Sequence, residues 1–326
     1  MDVEVTSEIP CNLCGNHHVS VLATKGRDGE ALRTVICQDC GLVWSDPFPI
    51  DVREYYRKDY RFSYKGTYEP MKKHIWRAAN VAINRYNKIS SHLSDRRTLL
   101  DVGSGGGEFL YLMHSIGMAT VGVEPNEGYG EYSRREYGLD VSIGFAQNHD
   151  YPPGSFDLIT MWHVLEHTDD PVSVLRKIRG WLKEGGMLVV EVPNVESVCQ
   201  MPRSTFHSAH LFNFNHVTLE GVAARAGLRV VDRLTSEDGG NITQFLQSVA
   251  EPYDVGNWIS RDNYERVASI RAGHTNLSHY LSAHPYRRLF QKLRRSGKEK
   301  RQASPFQSGK PMLDACYKAV VLVESR

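Results

Sequence analysis

Long apolar runs are missing from this 326-residue chain. None approaches the roughly 20 residues that a bilayer-spanning helix needs, so no membrane helix is expected. Residues 1–10 are acidic, without the basic start and apolar stretch of a secretory signal. The expected location is therefore the cytoplasm. Net charge is almost absent too: 39 Lys+Arg stand against 38 Asp+Glu. Hydrophobic residues are 41% and charged residues 24%, globular proportions that exclude disordered and low-complexity classes. Near-neutrality is nevertheless a cancellation. Between 285 and 310 stand Arg287, Arg288, Lys292, Arg294, Arg295, Lys298, Lys300, Arg301 and Lys310, with Glu299 as the only acid. The rest of the chain is therefore net acidic.

Cysteine is sparse, but four of the six fall in a pattern: Cys11-x-x-Cys14 and Cys37-x-x-Cys40, each pair followed by glycine. Two intervening residues let both thiols reach one metal. Gly15 and Gly41 supply the positive-φ turn that aims backbone N–H groups at the sulfurs. Four thiolates with no water position make a closed, structural Zn2+ site. A pair of disulfides is disfavoured in a cytosolic chain. Residues 19–23 and 32–36 read as strands around a turn at 25–29. Cys199 and Cys316 have no motif partner and read as small hydrophobes.

A strand is expected at 98–102, followed by Gly103-Ser104-Gly105-Gly106-Gly107-Glu108 and then a helix. Glycines there let the backbone approach a ligand at the strand's carboxyl end. A second strand at 119–123 ends at Glu124, about 20 residues on, where a ribose diol would be held. Two nucleotide signatures are missing. The third glycine of G-x-G-x-x-G is replaced by Glu108, whose carboxylate would repel a pyrophosphate, and no G-K-[ST] follows. A cationic ligand without phosphate fits better beside Asp101 and Glu108.

The run Leu100-Asp101-Val102-Gly103-Ser104-Gly105-Gly106-Gly107 resembles motif I of the class I S-adenosylmethionine (SAM) methyltransferases. Val121-Gly122-Val123-Glu124-Pro125-Asn126 is similar to that family's ribose-binding turn. Gly154-Ser155-Phe156-Asp157, His163-Val164-Leu165-Glu166-His167 and Leu182-Lys183-Glu184-Gly185-Gly186 follow in the family's order over about residues 95–235. The resemblance implies a Rossmann-like, doubly wound α/β fold with a seven-stranded sheet, here with a small N-terminal zinc ribbon. It implies SAM bound by Asp101, Gly103, Ser104, Gly105, Gly107, Glu124 and Pro125, with Phe145, Ala146 and Trp162 around the adenosine. The family usually places an Asp where Phe145 stands, so adenine would meet apolar and backbone groups around Phe145, Ala146 and Gln147.

His163-x-x-Glu166-His167 also matches a zinc-protease signature, rejected because it sits inside a complete methyltransferase order. Relatives of the quinone-biosynthesis enzymes use a similar E-x-x-E-H for a divalent metal. A role for Glu166 and His167 in capping and packing a helix from 171 onward stands beside that reading.

The four-cysteine ribbon, an aromatic helical segment (Tyr55, Tyr56, Tyr60, Tyr64, Tyr68, Trp76 and Tyr86, helical over 71–87) and a histidine-rich loop after the fifth strand resemble the deoxysugar and other sugar methyltransferases. The tyrosines either cover the cofactor mouth or glue ribbon to core. In the sugar C-methyltransferases the loop carries Tyr and Glu-His. Here His210 remains, Ala209 precedes it and His207 stands near the Tyr position, which favours O-methylation of a sugar or glycan hydroxyl. His210 is the expected general base, with His207 and His163 as alternatives; His216 lies close in sequence. A sugar C-methyltransferase, a zinc-ribbon rRNA methyltransferase drawing nucleic acid to the basic segment, and a non-catalytic SAM-binding interaction protein are the competing readings.

The expected organisation is a zinc ribbon (1–46), an aromatic helical linker or lid (47–94), a SAM core (95–250), a basic helical insertion (251–311) and a last core strand (312–326). Residues 261–270 and 286–295 read as helices, and 296–310 as a mobile stretch. Thr218 is expected to cap a helix over 219–226 that Gly227 stops, followed by a strand at 228–234. Residues 241–249 compete with the C-terminal run for the place of seventh strand.

Overall fold

The computed structural model describes residues 6–49, 70–250 and 255–324. Tyr55, Tyr56, Tyr60, Tyr64 and Tyr68 lie outside the described residues. One mixed sheet of seven strands runs β10-β11-β8-β7-β4-β5-β6. Its strands are β4 (Thr98–Val102), β5 (Ala119–Glu124), β6 (Asp140–Ile143), β7 (Phe156–Trp162), β8 (Leu182–Pro193), β10 (Leu228–Thr235) and β11 (Asn241–Ser248). This is the class I methyltransferase fold. The expected boundaries of β4 are met to the residue because a short, mostly apolar run, buried from Leu99 onward, ends where the glycines begin. No helix among the described residues is long and apolar enough to cross a membrane.

The chain divides into two compact units. One gathers the described residues of 53–160, 181–186 and 289–326. In it β4, β5 and β6 pair in parallel, Asp101 opposite Gly122 and Glu124 opposite Ile143. Around them stand α1 (Lys72–Ile89), α2 (Glu108–Ser115) and α3 (Glu127–Tyr137). Ile75, Ala79, Ala82, Tyr86 and Ile89 form the buried stripe of α1, at helical spacing. Helix α8 (His284–Ala303) runs through Ser296 and Gly297, so the supposedly mobile stretch is helical as far as Ala303. Its one acid, Glu299, is buried and takes a two-pronged ion pair from Arg77 of α1, at 2.8 and 2.6 Å.

The C-terminal run is not a strand. Residues 309–324 form helix α9 (Gly309–Glu324). The β-branched residues near its end favour a strand locally, but Met312, Leu313 and Tyr317 are buried at helical spacing, and Pro311 in the first turn forfeits an N–H that has no intrahelical acceptor. Tyr317 donates to the Glu108 carbonyl at 2.8 Å, Tyr111 to Asp314 at 2.5 Å, and Tyr86 to Glu324. The place of seventh strand belongs to β11, antiparallel to β8 with Ile242 opposite Val192, and to β10 with Leu228 opposite Ser248.

The other unit holds the described residues of 1–52, 161–180 and 187–288. The strands β1 (Val19–Lys25) and β2 (Ala31–Cys37) form the expected hairpin, joined to β3 (Val43–Ser45). A fourth strand, β9 (Phe212–Asn213), comes from the loop after β8 and pairs with β3, Trp44 opposite Phe212. Residues 1–46 are therefore not a free-standing ribbon. Leu32, Ile36 and Val43 share a core with Val195, Phe206 and Val267. Helices α4 (Pro171–Trp181), α5 (His216–Arg225), α6 (Arg261–Gly273) and α7 (Asn276–Tyr280) complete the element order. Helix α5 is capped by Asn215, not Thr218. The Asn215 side chain accepts from the Thr218 N–H at 2.9 Å, and the Thr218 hydroxyl accepts from the Asn215 N–H at 3.1 Å. Asp170, accepting from the Ser173 N–H at 3.0 Å, does the capping at α4 that Glu166 and His167 were candidates for.

Candidate active site

The glycine loop after β4 turns on Gly103, Gly105 and Gly107, at φ of 74°, 59° and 88°. These are left-handed conformations that a side chain would strain. At Gly107 a Cβ would also sit 2.7 Å from Ser133. The loop is tied to β5: the N–H groups of Gly103 and Ser104 donate to the Val123 carbonyl at 2.7 and 3.1 Å. Glu124 accepts from the Gly105 N–H at 2.7 Å and from the Asn126 N–H at 2.9 Å. Its carboxylate is thus fixed beside the glycine loop. Pro125 follows, and Asn126 caps α3. The Gly144 N–H donates to the Glu124 carbonyl at 3.0 Å, and half-buried Phe145 leads into the short turn Ala146–Asn148, with Ala146 buried. Asp101 is fully buried and accepts from Thr160 at 2.6 Å. Burial pushes its carboxyl up to about 7, against the opposing pull of Thr160. The buried Ser104 hydroxyl has no hydrogen-bond partner among the described residues. Pre-formed glycine cradle, held acid and orphaned hydroxyl together fit a nucleoside-bearing, cationic ligand.

A second group of polar side chains lies in the other unit. Trp162, buried, ends β7. The next residue, His163, has φ of 58° and is the one non-glycine residue in the left-handed region among the described residues, a strain that clusters at functional positions. Its Nδ1 lies 3.3 Å from Glu166 and its Nε2 3.4 Å from Glu191. Burial pulls this imidazole down, but the two carboxylates outweigh it and hold it at about 9. With both ring nitrogens engaged by carboxylates, His163 has no lone pair left for an acceptor's proton. Glu166 is buried; burial raises its carboxyl, yet His167 and His163 bring it below the usual range.

The loop before β9 brings the remaining histidines to this place. His167 donates from Nδ1 to the Ala209 carbonyl at 2.6 Å, and its Nε2 lies 3.8 Å from Glu166. The rings of His167 and His210 are 4.9 Å apart, and those of His207 and His210 3.8 Å. Burial, then the charge of Arg27, pulls His207 down to about 4. Burial, then His167 and His207, lowers His210 well below the ordinary imidazole range. Both are neutral rings at physiological pH. Glu166, His167 and His210 each offer a ligand atom within 4.8 Å of the others, so this trio can also hold a divalent cation. His216 is elsewhere, in the first turn of α5 and bonded to Thr235 at 2.9 Å.

Residues 74–233 match the family described as a methyltransferase domain. Over that segment the chain is similar to methyltransferases. The ubiquinone biosynthesis O-methyltransferase of Pseudomonas paraeruginosa is 33% identical over 104 residues, covering 30% of this chain and 45% of that protein. That of Methylococcus capsulatus is 33% identical over 117 residues, covering 34% and 49%. The chain thus spans about half the length of these curated relatives. Among solved structures, a SAM dependent methyltransferase from Archaeoglobus fulgidus is similar at a TM-score of 0.47 and 18% identity, over 58% of this chain and 100% of that one.

The four-cysteine cluster precedes the matched segment. Cys11, Cys14, Cys37 and Cys40 place their sulfurs within 4.8 Å of one another, with Cys11 to Cys40 at 3.5 Å and Cys14 to Cys37 at 3.4 Å. Sulfurs around one tetrahedral ion lie about 3.8 Å apart, given metal–sulfur bonds of roughly 2.3 Å. Gly15 and Gly41 have φ of 81° and 77°, and their N–H groups donate to the Cys11 and Cys37 carbonyls at 2.8 and 2.9 Å, the two knuckle turns expected. The donor set fits a metal and no disulfide is formed.

Two residues of this site were not singled out from the sequence. Glu191 stands in the apolar strand β8, where it takes one nitrogen of His163 and also accepts from Thr243 at 2.8 Å. An acid inside the buried apolar run 187–192 was the available signal. Arg27, in the hairpin turn, acts on His207 and His210 only through the fold.

Proposed function

We propose that this protein methylates a hydroxyl of a small polyhydroxylated acceptor, a sugar in nucleotide-linked or glycan form, with SAM as donor and Zn2+ in the four-cysteine cluster. The observation that carries this reading is the placement of the His210 ring against two other histidines. The ring stands on the loop after β8, backed by His207 and His167, with Ala209 where the sugar C-methyltransferases that the sequence resembles carry an acid. Bound SAM supplies a methyl group already activated on a sulfonium. Glycines 103, 105 and 107, Ser104, Glu124 and Asp101 hold and orient it. Positioning accounts for much of the rate in such a transfer. His210 takes the hydroxyl proton from within about 3 Å as the oxygen attacks. Its capacity to do so rests on a free ring nitrogen, which His163 lacks. Two relatives whose names specify O-methylation support oxygen as the target atom. Those same names make a hydroxyl of a ubiquinone-biosynthesis intermediate the second reading.

The test is transfer from methyl-labelled SAM to panels of sugars, nucleotide sugars and phenols, followed by mass analysis of the product. An O-methyl sugar is expected. Label on carbon, or in RNA with a steep salt dependence, would overturn the proposal.

A further inference from the structure

We infer that the cavity lined by the β1–β2 turn, residues 202–206 and the end of α6 seats a phosphoryl group carried by the acceptor. The inference rests on the proposed function for the acceptor's role and on the cavity for its chemistry. The cavity has a volume of about 960 Å³. Four cationic residues line it, Lys25, Arg27, Arg203 and Arg271, against one carboxylate, Asp28. The chain as a whole is almost neutral, so this excess is local.

Each cation is differently available. Arg271 is built in: its two terminal nitrogens donate to Thr205 at 3.3 Å and to the Ser197 carbonyl at 2.8 Å. Its Nε is buried with no hydrogen-bond partner among the described residues. Burial lowers this guanidinium to about 10, so it stays charged in a place that disfavours charge. The charge of Glu196 offsets part of that cost, and an anion in the cavity would offset more. Arg27 pairs with Asp28 only at 3.6 Å, with the Asp28 side chain 78% exposed, a weak contact that leaves its fork usable. Lys25 and Arg203 are exposed and form no ion pair among the described residues. Ser204 and Thr205 add hydroxyl donors. The turn N–H groups do not contribute: those of Arg27, Asp28 and Gly29 are already bonded to Phe206, Glu30 and Gly26. Recognition would therefore come from guanidinium forks, an ammonium and hydroxyls, the donor set that suits phosphate oxygens.

The cavity adjoins the histidine cluster. Phe206 lines it and His207 is the next residue. Arg27 is close enough to depress both His207 and His210. A phosphoryl group seated here would anchor an acceptor whose hydroxyl reaches His210, so the cavity selects phosphorylated acceptors over neutral ones.

The probe is inorganic pyrophosphate, titrated into the cofactor-free full chain by calorimetry at low salt, where exposed charges are least screened. Saturable binding is expected, weakened at least about tenfold in K25E/R203E, both changes being at exposed positions. Arg271→Lys, which keeps the charge and loses the fork, should weaken it several-fold. Affinity for S-adenosylhomocysteine should be unchanged in all variants. In turnover assays pyrophosphate should raise the acceptor's KM and leave kcat unaltered. Absence of saturable binding, or equal affinity in K25E/R203E, would overturn the phosphoryl seat. Binding that leaves the acceptor's KM untouched would also overturn it, by making the cavity an effector site. No methyl transfer to any acceptor, with variant-sensitive pyrophosphate binding intact, would sink the proposed function and leave the anion seat standing.

Discussion

Ser45, the last residue of β3, donates its backbone N–H to the carbonyl of Leu211 at 2.9 Å. Its hydroxyl reaches the His210 carbonyl at 3.4 Å. The four-cysteine segment therefore does more than fold itself: its sheet holds the backbone on which the candidate base is mounted. Trp44, Phe212 and Phe214 are all fully buried around this junction, so the pairing is backed by apolar packing as well as hydrogen bonds.

Removing the metal should consequently disturb chemistry before cofactor binding. Cys40→Ser is expected to lose about one Zn2+ per chain and to lower Tm by roughly 5 °C or more. Methyl transfer should fall together with hydrogen-exchange protection at residues 207–214. S-adenosylhomocysteine affinity should stay within about twofold, since the glycine loop and Glu124 are tied to β5 and not to the cysteines. Retained transfer in a metal-free variant would refute the positioning role.

His210→Ala should reduce turnover by about 10²–10⁴-fold, the usual range for a lost general base, with cofactor affinity kept. His207→Ala should cost less, because His207 backs the ring without being the proton acceptor. Glu191→Gln should leave His163 with one carboxylate partner and lower turnover without abolishing it. Single-turnover rates separate these cases. Equal losses for His207 and His210 would argue against the assignment.

The buried Asp101 carboxyl, raised to about 7, should make cofactor affinity pH-dependent if it faces the bound cofactor as proposed. The folded value lies above the unfolded one, so the native state keeps a proton that the unfolded chain gives up. Stability from this group therefore declines as pH climbs from about 4 to about 7 and is level above that. A cationic ligand prefers the carboxylate, so SAM should bind more tightly as pH rises from about 6 to 8, releasing a proton. Calorimetry in buffers of different ionisation enthalpy counts that proton, and Asp101→Asn should remove both the pH slope and the release.

Asp157 moves the opposite way. Burial raises it, but donors from Thr98, from the Arg97 and Thr98 N–H groups and from Lys183 outweigh that and hold it at about 2. Its contribution is present above the unfolded value near 4 and is lost as pH falls toward 2. Asp157→Asn should cost about 2 kcal/mol at pH 7, and the gap to the parent protein should close under acid. Denaturant melts at pH 7 and pH 3 give the comparison.

Much of this protein is local and was legible in order along the chain. The cysteine knuckles need only a two-residue spacing and a glycine. The cofactor loop needs an apolar strand that stops at glycines able to adopt positive φ, and an acid at the end of the next strand. Those are short-range constraints, and Cys11, Cys14, Cys37, Cys40, Gly103, Gly105, Gly107 and Glu124 all stand in the geometry their spacing implied. What only the tertiary structure decided is long-range. The Val-rich C-terminus has strand propensity, yet α9 wins because one face of it is buried at helical spacing, while β11 fills the sheet position between β8 and β10. Glu191 and His163 meet because adjacent strand ends converge, and β3 finds β9 although more than 160 residues separate Ser45 from His210. Pairing energies of that kind depend on which surfaces are left to cover once the local elements exist, and no window of sequence contains them.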